Sequence, residues 1–179
     1  MKCPRCQSPE YTKYGKTHYG KQRYRCRHCG RQFVEPQTVK KSVQPKTDRD
    51  LRDILTHAKV IAVVGHSNKP SRPSYQVAQF LWQVGYQVYA INPTVPKIDG
   101  YPSYASLSEV PEAVDIVNVF RSKEYLSGIV DEAIAIGAKT VWAQLEISDR
   151  AAAEKAEDSG LLMVMDRCIK IDYQKLLMD

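Results

Sequence analysis

Four of the five cysteines lie within the first thirty residues, in two Cys-x-x-Cys pairs. Cys3 and Cys6 form one pair, and Cys26 and Cys29 form the other. Each pair aims two sulfur ligands at one point, and Zn²⁺ is bound by four such thiolates in a tetrahedron. We therefore predict a structural zinc site, in preference to four unliganded thiols. His28 lies inside the second pair and is not expected to be a ligand.

The segment that holds these cysteines is basic and rich in tyrosine. Residues 1–47 contain 12 Lys or Arg and two acidic residues, which gives a net charge of +10. Residues 48–179 contain 14 Lys or Arg and 18 acidic residues, which gives a net charge of −4. Interleaved basic and aromatic side chains can neutralise phosphates and stack on bases. A solvated positive surface explains the composition equally well. The sequence leaves DNA, RNA and protein open as partners.

A second candidate site is the polar stretch "GHSNKPSRPS" at residues 65–74. It follows a predicted strand and runs into a predicted helix, for which Ser74 is the expected N-cap. Free N–H groups at a helix start, combined with cations, favour a diphosphate over other ligands. Hydroxyl and amide groups come from Ser67, Asn68, Ser71 and Ser74, and the cations are Lys69 and Arg72. The competing interpretation is a loop whose charges are only solvated.

The end of the next predicted strand bears on the identity of the ligand. A fold built for NAD usually has an acidic residue there to hold the ribose diol. This chain instead has Asn92 and Pro93. The absence of a carboxylate argues against NAD and accommodates a phosphorylated ribose, as in coenzyme A (CoA) or NADP.

The elements that must position these residues alternate between strand and helix patterns. Strands are predicted at 60–65, 87–93, 115–120, 140–145 and 161–166, helices at 48–59, 74–85, 122–136, 149–158 and 170–178, and a short strand with a helical turn within 94–114. Asp48 is the expected N-cap of the first helix. The pattern predicts an α/β fold, a Rossmann-like parallel sheet with helices on both faces, preceded by a small four-cysteine zinc ribbon. The predicted organisation is a ribbon at 1–35, a linker at 36–47 and a body at 48–179.

The ribbon segment resembles a known family. "MKCPRCQSPEYTKYGKTHYGKQRYRCRHCGRQF" is similar to the zinc ribbon at the N-terminus of insertion-sequence transposases. In that family the ribbon precedes a helix-turn-helix and contributes to DNA binding. Neither a helix-turn-helix pattern nor an acidic catalytic triad follows here, so the resemblance does not imply transposition.

The body resembles the CoA-binding domain family, which is related to succinyl-CoA ligase α-subunits. Five blocks match in order: "IAVVGHSNKPSRPSYQVAQFL", "GYQVYAINP", "DIVNVFRS", "AIGAKTVWAQL" and "GLLMVMDRCIKIDY". The resemblance implies that Gly65, Ser67, Lys69, Arg72 and Ser74 hold the diphosphate, that Asn92 and Pro93 border the adenosine, that Phe120 and Arg121 flank the pantetheine arm, and that Trp142 and Gln144 close the far side.

Two residues depart from that family's pattern. His66 stands where the family commonly has an apolar residue, and it places a protonatable group at the edge of the phosphate turn. Glu146 stands where the family usually has glycine. It adds a side chain and a negative charge near the expected thiol end of CoA.

We find no catalytic constellation, so we predict a non-catalytic protein that binds CoA or acyl-CoA. Two alternatives remain: an NAD(P)(H)-sensing DNA-binding regulator on the same fold, and a degenerate acyl-transfer enzyme using Cys168. Cys168 is also explained as a small core residue. No apolar run approaches the roughly 20 residues that span a bilayer, and the N-terminus does not resemble a signal peptide. A cytoplasmic location without membrane contact is expected, and the oligomeric state stays open.

Overall fold

The computed structural model describes residues 2–3, 5–16, 22–34 and 47–178. The chain divides into two compact units, residues 1–42 and 43–179. Almost all of the predicted linker at 36–47 lies outside the described residues, so the predicted domain boundaries stay predictions. None of the described helices is long and apolar enough to cross a membrane.

The first unit is a small antiparallel sheet in the order β1–β2–β3. Its strands are β1 (Tyr11–Lys16), β2 (Gln22–Cys26) and β3 (Gln32–Val34). Tyr11, Tyr24 and Phe33 pack together on one face, with ring centroids 5.4–6.2 Å apart. The aromatic content of this segment predicts that Tyr14 packs around the metal site with these three residues. Tyr14 is instead 41% exposed, because side chains alternate between the two faces of a strand. The sequence also predicts a hairpin between the two cysteine pairs, around "KTHYGK", of which residues 17–21 lie outside the described residues.

The second unit follows the predicted alternation of strands and helices. Its elements are α1 (Asp48–His57), β4 (Val60–Val64), α2 (Pro73–Gln83), β5 (Gln87–Ile91), β6 (Lys97–Ile98), β7 (Tyr101–Tyr104), β8 (Ile116–Val119), α3 (Leu126–Ala135), β9 (Thr140–Ala143), α4 (Arg150–Asp158), β10 (Leu162–Val164) and α5 (Ile169–Tyr173). Short 3-10 turns precede β8 and α3, and a π-helical stretch, Gln174–Met178, follows α5.

These strands form one seven-stranded sheet in the order β10–β9–β8–β4–β5–β7–β6. The strands from β10 to β7 are parallel, and β6 runs antiparallel to β7. The chain moves outward from β4 to β5 and β7 and then returns to the other side of β4 as β8. The order therefore reverses between β4 and β8, which is where sheets of this kind bind ligands at the carboxyl ends of the strands.

Helices cover both faces of this sheet, as predicted. One core cluster joins α1, α2 and α5 to the sheet, through Leu51, Leu55, Val77, Leu81, Ile169, Ile61 and Val63. The other joins α3 and α4, through Leu126, Val130, Ala152, Ala156, Ala62 and Val117. Successive residues of β4 belong to opposite clusters because side chains alternate along a strand. Burial on both faces explains the continuous apolar run "VIAVV".

Two helix starts differ from the sequence-based expectation. α1 is capped by Thr47 rather than Asp48: its hydroxyl accepts a hydrogen bond from the Asp50 N–H, and the Asp50 carboxylate accepts one from the Thr47 N–H. This reciprocal pair is a capping box. α2 begins at Pro73 with Arg72 as N-cap, so Ser74 lies inside the first turn.

Candidate metal centre and ligand-binding crevice

The four N-terminal cysteines converge on one point, as the spacing predicted. All four sulfur atoms lie within 4.8 Å of one another. Cys3 Sγ is 3.6 Å from Cys29 Sγ, and Cys6 Sγ is 3.6 Å from Cys26 Sγ. A zinc tetrahedron with bonds of about 2.3 Å has sulfur–sulfur edges of about 3.8 Å. The cluster therefore suits a zinc ion held by four thiolates, and His28 is exposed and outside it.

The backbone of the cysteine turns prepares this cluster to hold a cation. Gly30 adopts φ +70°, which glycine tolerates, and its N–H donates to the Cys26 carbonyl. Burial raises the pKa of the Cys3 thiol, but hydrogen bonds from the backbone at Cys6 and Arg5 outweigh it and lower that pKa to about 6. A thiolate is the form that binds metal, so these hydrogen bonds favour the ligating state of Cys3.

In the second unit, Gly65 joins the ends of three neighbouring strands. Its N–H donates to the Ile91 carbonyl of β5 at 2.9 Å, and the Phe120 N–H donates to Val64 at 2.9 Å. Gly65 adopts φ +85°, and a Cβ there would lie 3.1 Å from Arg121 Cδ and 3.2 Å from the Phe120 carbonyl oxygen. Only glycine satisfies both the backbone angle and the close approach.

The turn that follows Gly65 is held by its own serines. The Ser67 N–H donates to Ser74 Oγ at 3.1 Å, and the Lys69 N–H donates to Ser67 Oγ at 3.2 Å. Ser74 is buried, so its hydroxyl positions the turn from the first turn of α2. Asn68, Lys69 and Arg72 are exposed, and within the described residues neither cation forms an ion pair. The turn therefore presents two unpaired cations beside the N-terminus of α2.

Asn92 connects this turn to the end of β5. Its Nδ2 donates to the His66 carbonyl at 2.8 Å, and its Oδ1 accepts a hydrogen bond from the Thr94 N–H at 3.0 Å. The side chain thus positions the turn at residues 65–74, while the neighbouring Pro93 is exposed. This contact links the two loops that the sequence assigned to one ligand.

The His66 ring is buried rather than exposed at the edge of the turn. The residue is 0% exposed, and neither ring nitrogen has a hydrogen-bond partner among the described residues. Burial lowers its pKa to about 4, against a weaker opposite effect of Asp99. His66 is therefore neutral near pH 7, and its backbone, not its ring, contributes to the turn.

Acid is expected to destabilise this unit through His66. Its folded pKa of about 4 lies below the ordinary value of 6.5, so between these values the unfolded chain binds the additional proton. Stability is retained above pH 6.5 and falls by up to about 1.4 kcal/mol per pH unit towards pH 4. Urea unfolding across this range should show a shallower slope for His66→Leu. Equal slopes would assign the effect to another group.

A cavity of about 330 Å³ opens beside the Gly65 turn, at the carboxyl ends of β4, β5 and β8. Four predicted residues line it: Gly65, Asn92, Pro93 and Arg121. Val64, Ile91, Ala105, Glu124, Tyr125, Gly128, Ile129 and Glu132 complete the lining. The contribution of α3 to this cavity was not predicted from the sequence, although α3 begins five residues after Arg121.

The side chains of Arg121 and Phe120, at the end of β8, lie in different environments. The Arg121 guanidinium lies 4.6 Å from the centroid of the Tyr125 ring, within range of a cation–π contact. Both residues are exposed and line the cavity. Phe120 is partly buried and packs against the core cluster of α1, α2 and α5. Arg121 is therefore the member of this pair that faces the cavity.

Trp142 and Gln144 lie in the interior and do not line the cavity. Trp142 is 0% exposed, and its Nε1 donates to the Arg167 carbonyl at 2.9 Å. Gln144 is 5% exposed, and its Nε2 donates to Asn118 Oδ1 at 2.7 Å. In this structure both side chains support β8 and β9 from within.

The ends of β9 and β10 carry two residues with left-handed backbones. Glu146 adopts φ +64° and Asp166 adopts φ +53°. The Glu146 N–H donates to the Asp166 carboxylate at 2.7 Å, which holds the turn. The angle explains why glycine suits the Glu146 position. Cys168 is partly buried against the core at the start of α5 and does not line the cavity.

The fold and the crevice define a Rossmann-like module with a ligand site at the reversal of its strand order. Residues 59–174 match the family described as "CoA binding domain", and residues 1–30 match the "InsA N-terminal domain", a zinc ribbon. The chain belongs to the CoA binding domain family.

Among curated proteins, YneT of Bacillus subtilis, an uncharacterised protein, is 35% identical over 131 residues, which cover 73% of this chain and 97% of YneT. An ADP-forming acetate–CoA ligase of Archaeoglobus fulgidus is 27% identical over 135 residues, covering 70% of this chain and only 20% of the ligase. This chain therefore matches one fifth of that enzyme's length.

Solved structures from two thermophiles are similar over most of the body. A hypothetical protein from Pyrococcus horikoshii superposes with a TM-score of 0.72 at 35% identity, covering 81% of this chain and 99% of that one. A structure from Thermus thermophilus gives a TM-score of 0.71 at 34% identity, covering 74% of this chain and 100% of that one.

Proposed function

We propose that the body binds CoA or acyl-CoA without catalysing a reaction, in the cytoplasm. The observation that carries this proposal is the turn after β4. There Gly65 brings the backbone against the end of β8, and Lys69 and Arg72, beside the start of α2, form no ion pair with any described residue. Two cations beside the N-terminus of a helix suit a diphosphate. Gly65, Ser67, Asn68, Lys69, Arg72 and Ser74 would form or support that part of the site.

The neighbouring cavity suits the remainder of the ligand. Its volume of about 330 Å³ and its lining by Pro93, Arg121 and Tyr125 provide apolar and cationic surface for the adenosine and the start of the pantetheine arm. Asn92 is engaged with the His66 carbonyl, and no carboxylate stands at the end of β5 to oppose a phosphorylated ribose. This arrangement supports CoA over NAD.

The structure offers little support for an acyl-transfer enzyme. Cys168 follows β10, an edge strand separated from β8 by β9, and it does not line the cavity. Glu132, an acidic residue in the cavity, has an acceptor role already, because its carboxylate receives a weak hydrogen bond from the Leu107 N–H. Binding without turnover is therefore our proposal.

Calorimetry with the full chain tests the ligand. We expect CoA to bind at least about tenfold more tightly than dephospho-CoA, because only CoA carries the 3′-phosphate that a charge-assisted contact can hold. NADP should bind more weakly than CoA, and NAD more weakly still. Tighter binding of NAD or NADP than of CoA would favour the dinucleotide sensor, and acyl loss that depends on Cys168 would favour the enzyme.

Two variants test whether the β4 turn is the diphosphate site. Lys69→Ala combined with Arg72→Ala should weaken CoA by about tenfold or more and reduce the dependence of its affinity on salt. Arg150→Ala is the control, because Arg150 is exposed and pairs only with Glu154 among the described residues. Equal affinities in both variants would remove the turn from the site.

For the ribbon we propose nucleic-acid binding through one face of its sheet. Register places Thr12 opposite Arg25 and Tyr24 opposite Phe33, so the face away from the aromatic cluster carries Tyr14, Arg23 and Arg25. The two guanidinium groups lie 5.6 and 5.8 Å from the Tyr14 ring centroid. An exposed ring between two cations is a surface on which a base can stack while phosphates are neutralised.

This proposal predicts salt-sensitive binding of oligonucleotides by the full chain. Tyr14→Ala together with Arg25→Ala should weaken binding at least about tenfold, whereas Arg150→Ala, which removes a charge from the body, should not. Fluorescence anisotropy with single-stranded and duplex DNA and RNA over a salt series measures both effects. Failure to bind any of them at low salt would indicate a protein partner for the ribbon.

A further inference from the structure

A second cavity, separate from the crevice, lies along the β5–β7 side of the sheet. Its volume is about 730 Å³, and it shares no lining residue with the crevice beside Gly65. Five aromatic residues line this groove, with one carboxylate: Tyr75, Trp82, Tyr89, Tyr101, Tyr104 and Asp99. The proposed CoA site makes no use of it.

The groove exists because β7 covers only part of β5. The two strands pair at Ala90 and Ile91, opposite Ser103 and Tyr104. Within the described residues, no strand lies beside residues 87–89 on that side. Side chains from α2 and from β7 therefore surround a gap where a longer β7 would otherwise continue the sheet.

Two aromatic pairs border the gap. Trp82 of α2 contacts Tyr101 of β7 with centroids 5.0 Å apart, and Tyr89 contacts Tyr104 at 5.8 Å. Tyr101 is 60% exposed, which is high for a large aromatic residue. The faces of such rings carry partial negative charge and attract cations.

The charge of the groove is also negative. Asp99 Oδ2 accepts a hydrogen bond from Gln79 Nε2 at 2.8 Å, and interaction with Asp99 raises the pKa of the Tyr75 hydroxyl. Both neighbours are neutral, and His66, whose pKa burial lowers more strongly than Asp99 raises it, is neutral too. No Lys or Arg lines the groove, and among the described residues Asp99 has no ion-pair partner. The carboxylate is therefore uncompensated beside a set of rings.

We propose that this groove binds a small organic cation, an ammonium or guanidinium compound, with its charge against Asp99 and its body over the Trp82 and Tyr101 rings. Rings and a carboxylate together select for a cation over a neutral or anionic ligand of the same size. This site would be independent of the CoA crevice.

Asp99 also has a structural role, which dictates the choice of variant. Asp99 and Gly100 form the two-residue turn between β6 and β7, with φ of +50° and +83°. Asp-Gly and Asn-Gly are both favoured in such turns. Asp99→Asn therefore retains the turn and an oxygen acceptor and removes only the charge.

The test titrates the full chain with spermidine and with tetramethylammonium. Fluorescence should report binding, because Trp82 borders the groove whereas Trp142 is 0% exposed. Asp99→Asn and Tyr101→Leu should each weaken the binding of these probes at least about fivefold and leave CoA affinity unchanged. Glu154→Gln, which removes an exposed carboxylate from α4, should change neither the binding of the two probes nor the affinity for CoA.

Each other result overturns the proposal. If neither probe binds to the full chain at low salt, the groove does not recognise organic cations. If Asp99→Asn binds both probes as tightly as the unaltered chain does, Asp99 does not attract them. If Glu154→Gln weakens probe binding as much as Asp99→Asn does, the attraction is a general effect of net charge.

Discussion

Gly65→Ala is expected to weaken CoA binding by at least about tenfold and to lower the free energy of unfolding by about 2 kcal/mol. At φ +85° the new Cβ would lie 3.1 Å from Arg121 Cδ and 3.2–3.3 Å from the Phe120 carbonyl group. The Arg121 side chain can move aside, but the Phe120 backbone is held in the sheet. The β4 turn must therefore shift away from the end of β8, and it would take the phosphate turn with it.

Gly85→Ala is the matched control for this prediction. Gly85 also has a left-handed backbone, at φ +99°, but nothing lies within 4 Å of an added Cβ. Gly85→Ala should lower the free energy of unfolding by about 1 kcal/mol, because of the backbone angle alone, and leave CoA affinity unchanged. Calorimetric titration with CoA and urea unfolding of both variants distinguish the effect of the backbone angle from the effect of the close contact with the end of β8. Equal losses of CoA affinity in the two variants would contradict the role assigned to Gly65.

Removal of zinc is expected to unfold the ribbon and spare the body. Metal binding contributes about 10–16 kcal/mol to folding in zinc modules of this size, and among the described residues of the ribbon only Cys3, Cys26 and Phe33 form its buried core. Elemental analysis should give one zinc per chain. Cys26→Ser should lose most of it and expose the N-terminal segment to protease, while CoA affinity stays unchanged.

Cys168→Ser serves as the control for that experiment, because Cys168 lies outside the four-sulfur cluster. It should retain both zinc and the protease-resistant ribbon. If Cys26→Ser keeps a full complement of zinc and the same protection, the four-sulfur site is not the metal centre. Loss of CoA binding on removal of zinc would mean that the two units depend on one another.

Local sequence patterns were enough to predict most elements. The Cys-x-x-Cys pairs predicted the sulfur cluster because two ligands per tight turn leave few other geometries. The run "VIAVV" and the stripe that includes Val77 and Leu81 predicted β4 and α2, since burial imposes these patterns on any chain that forms them. The predicted α/β class and the helices on both faces follow from the same alternation.

Other features depend on contacts between distant parts of the chain. The burial of the His66 ring and the engagement of Asn92 with its carbonyl join residues 26 positions apart. The burial of Trp142 also depends on the tertiary structure. An aromatic residue can line a ligand site, but the position of Trp142 on β9 places it in the core. The two-residue strand β6 escaped prediction because so short an element has no periodicity of its own.

The sequence by itself therefore determined which segments are strands and helices, which cysteines cluster and where the cations lie along the chain. Only the tertiary structure decided which side chains reach the crevice and that a second, aromatic groove exists. The reason is physical: hydrophobic periodicity and turn chemistry are properties of neighbouring residues, whereas exposure and strand order are set by the packing of segments far apart in the chain.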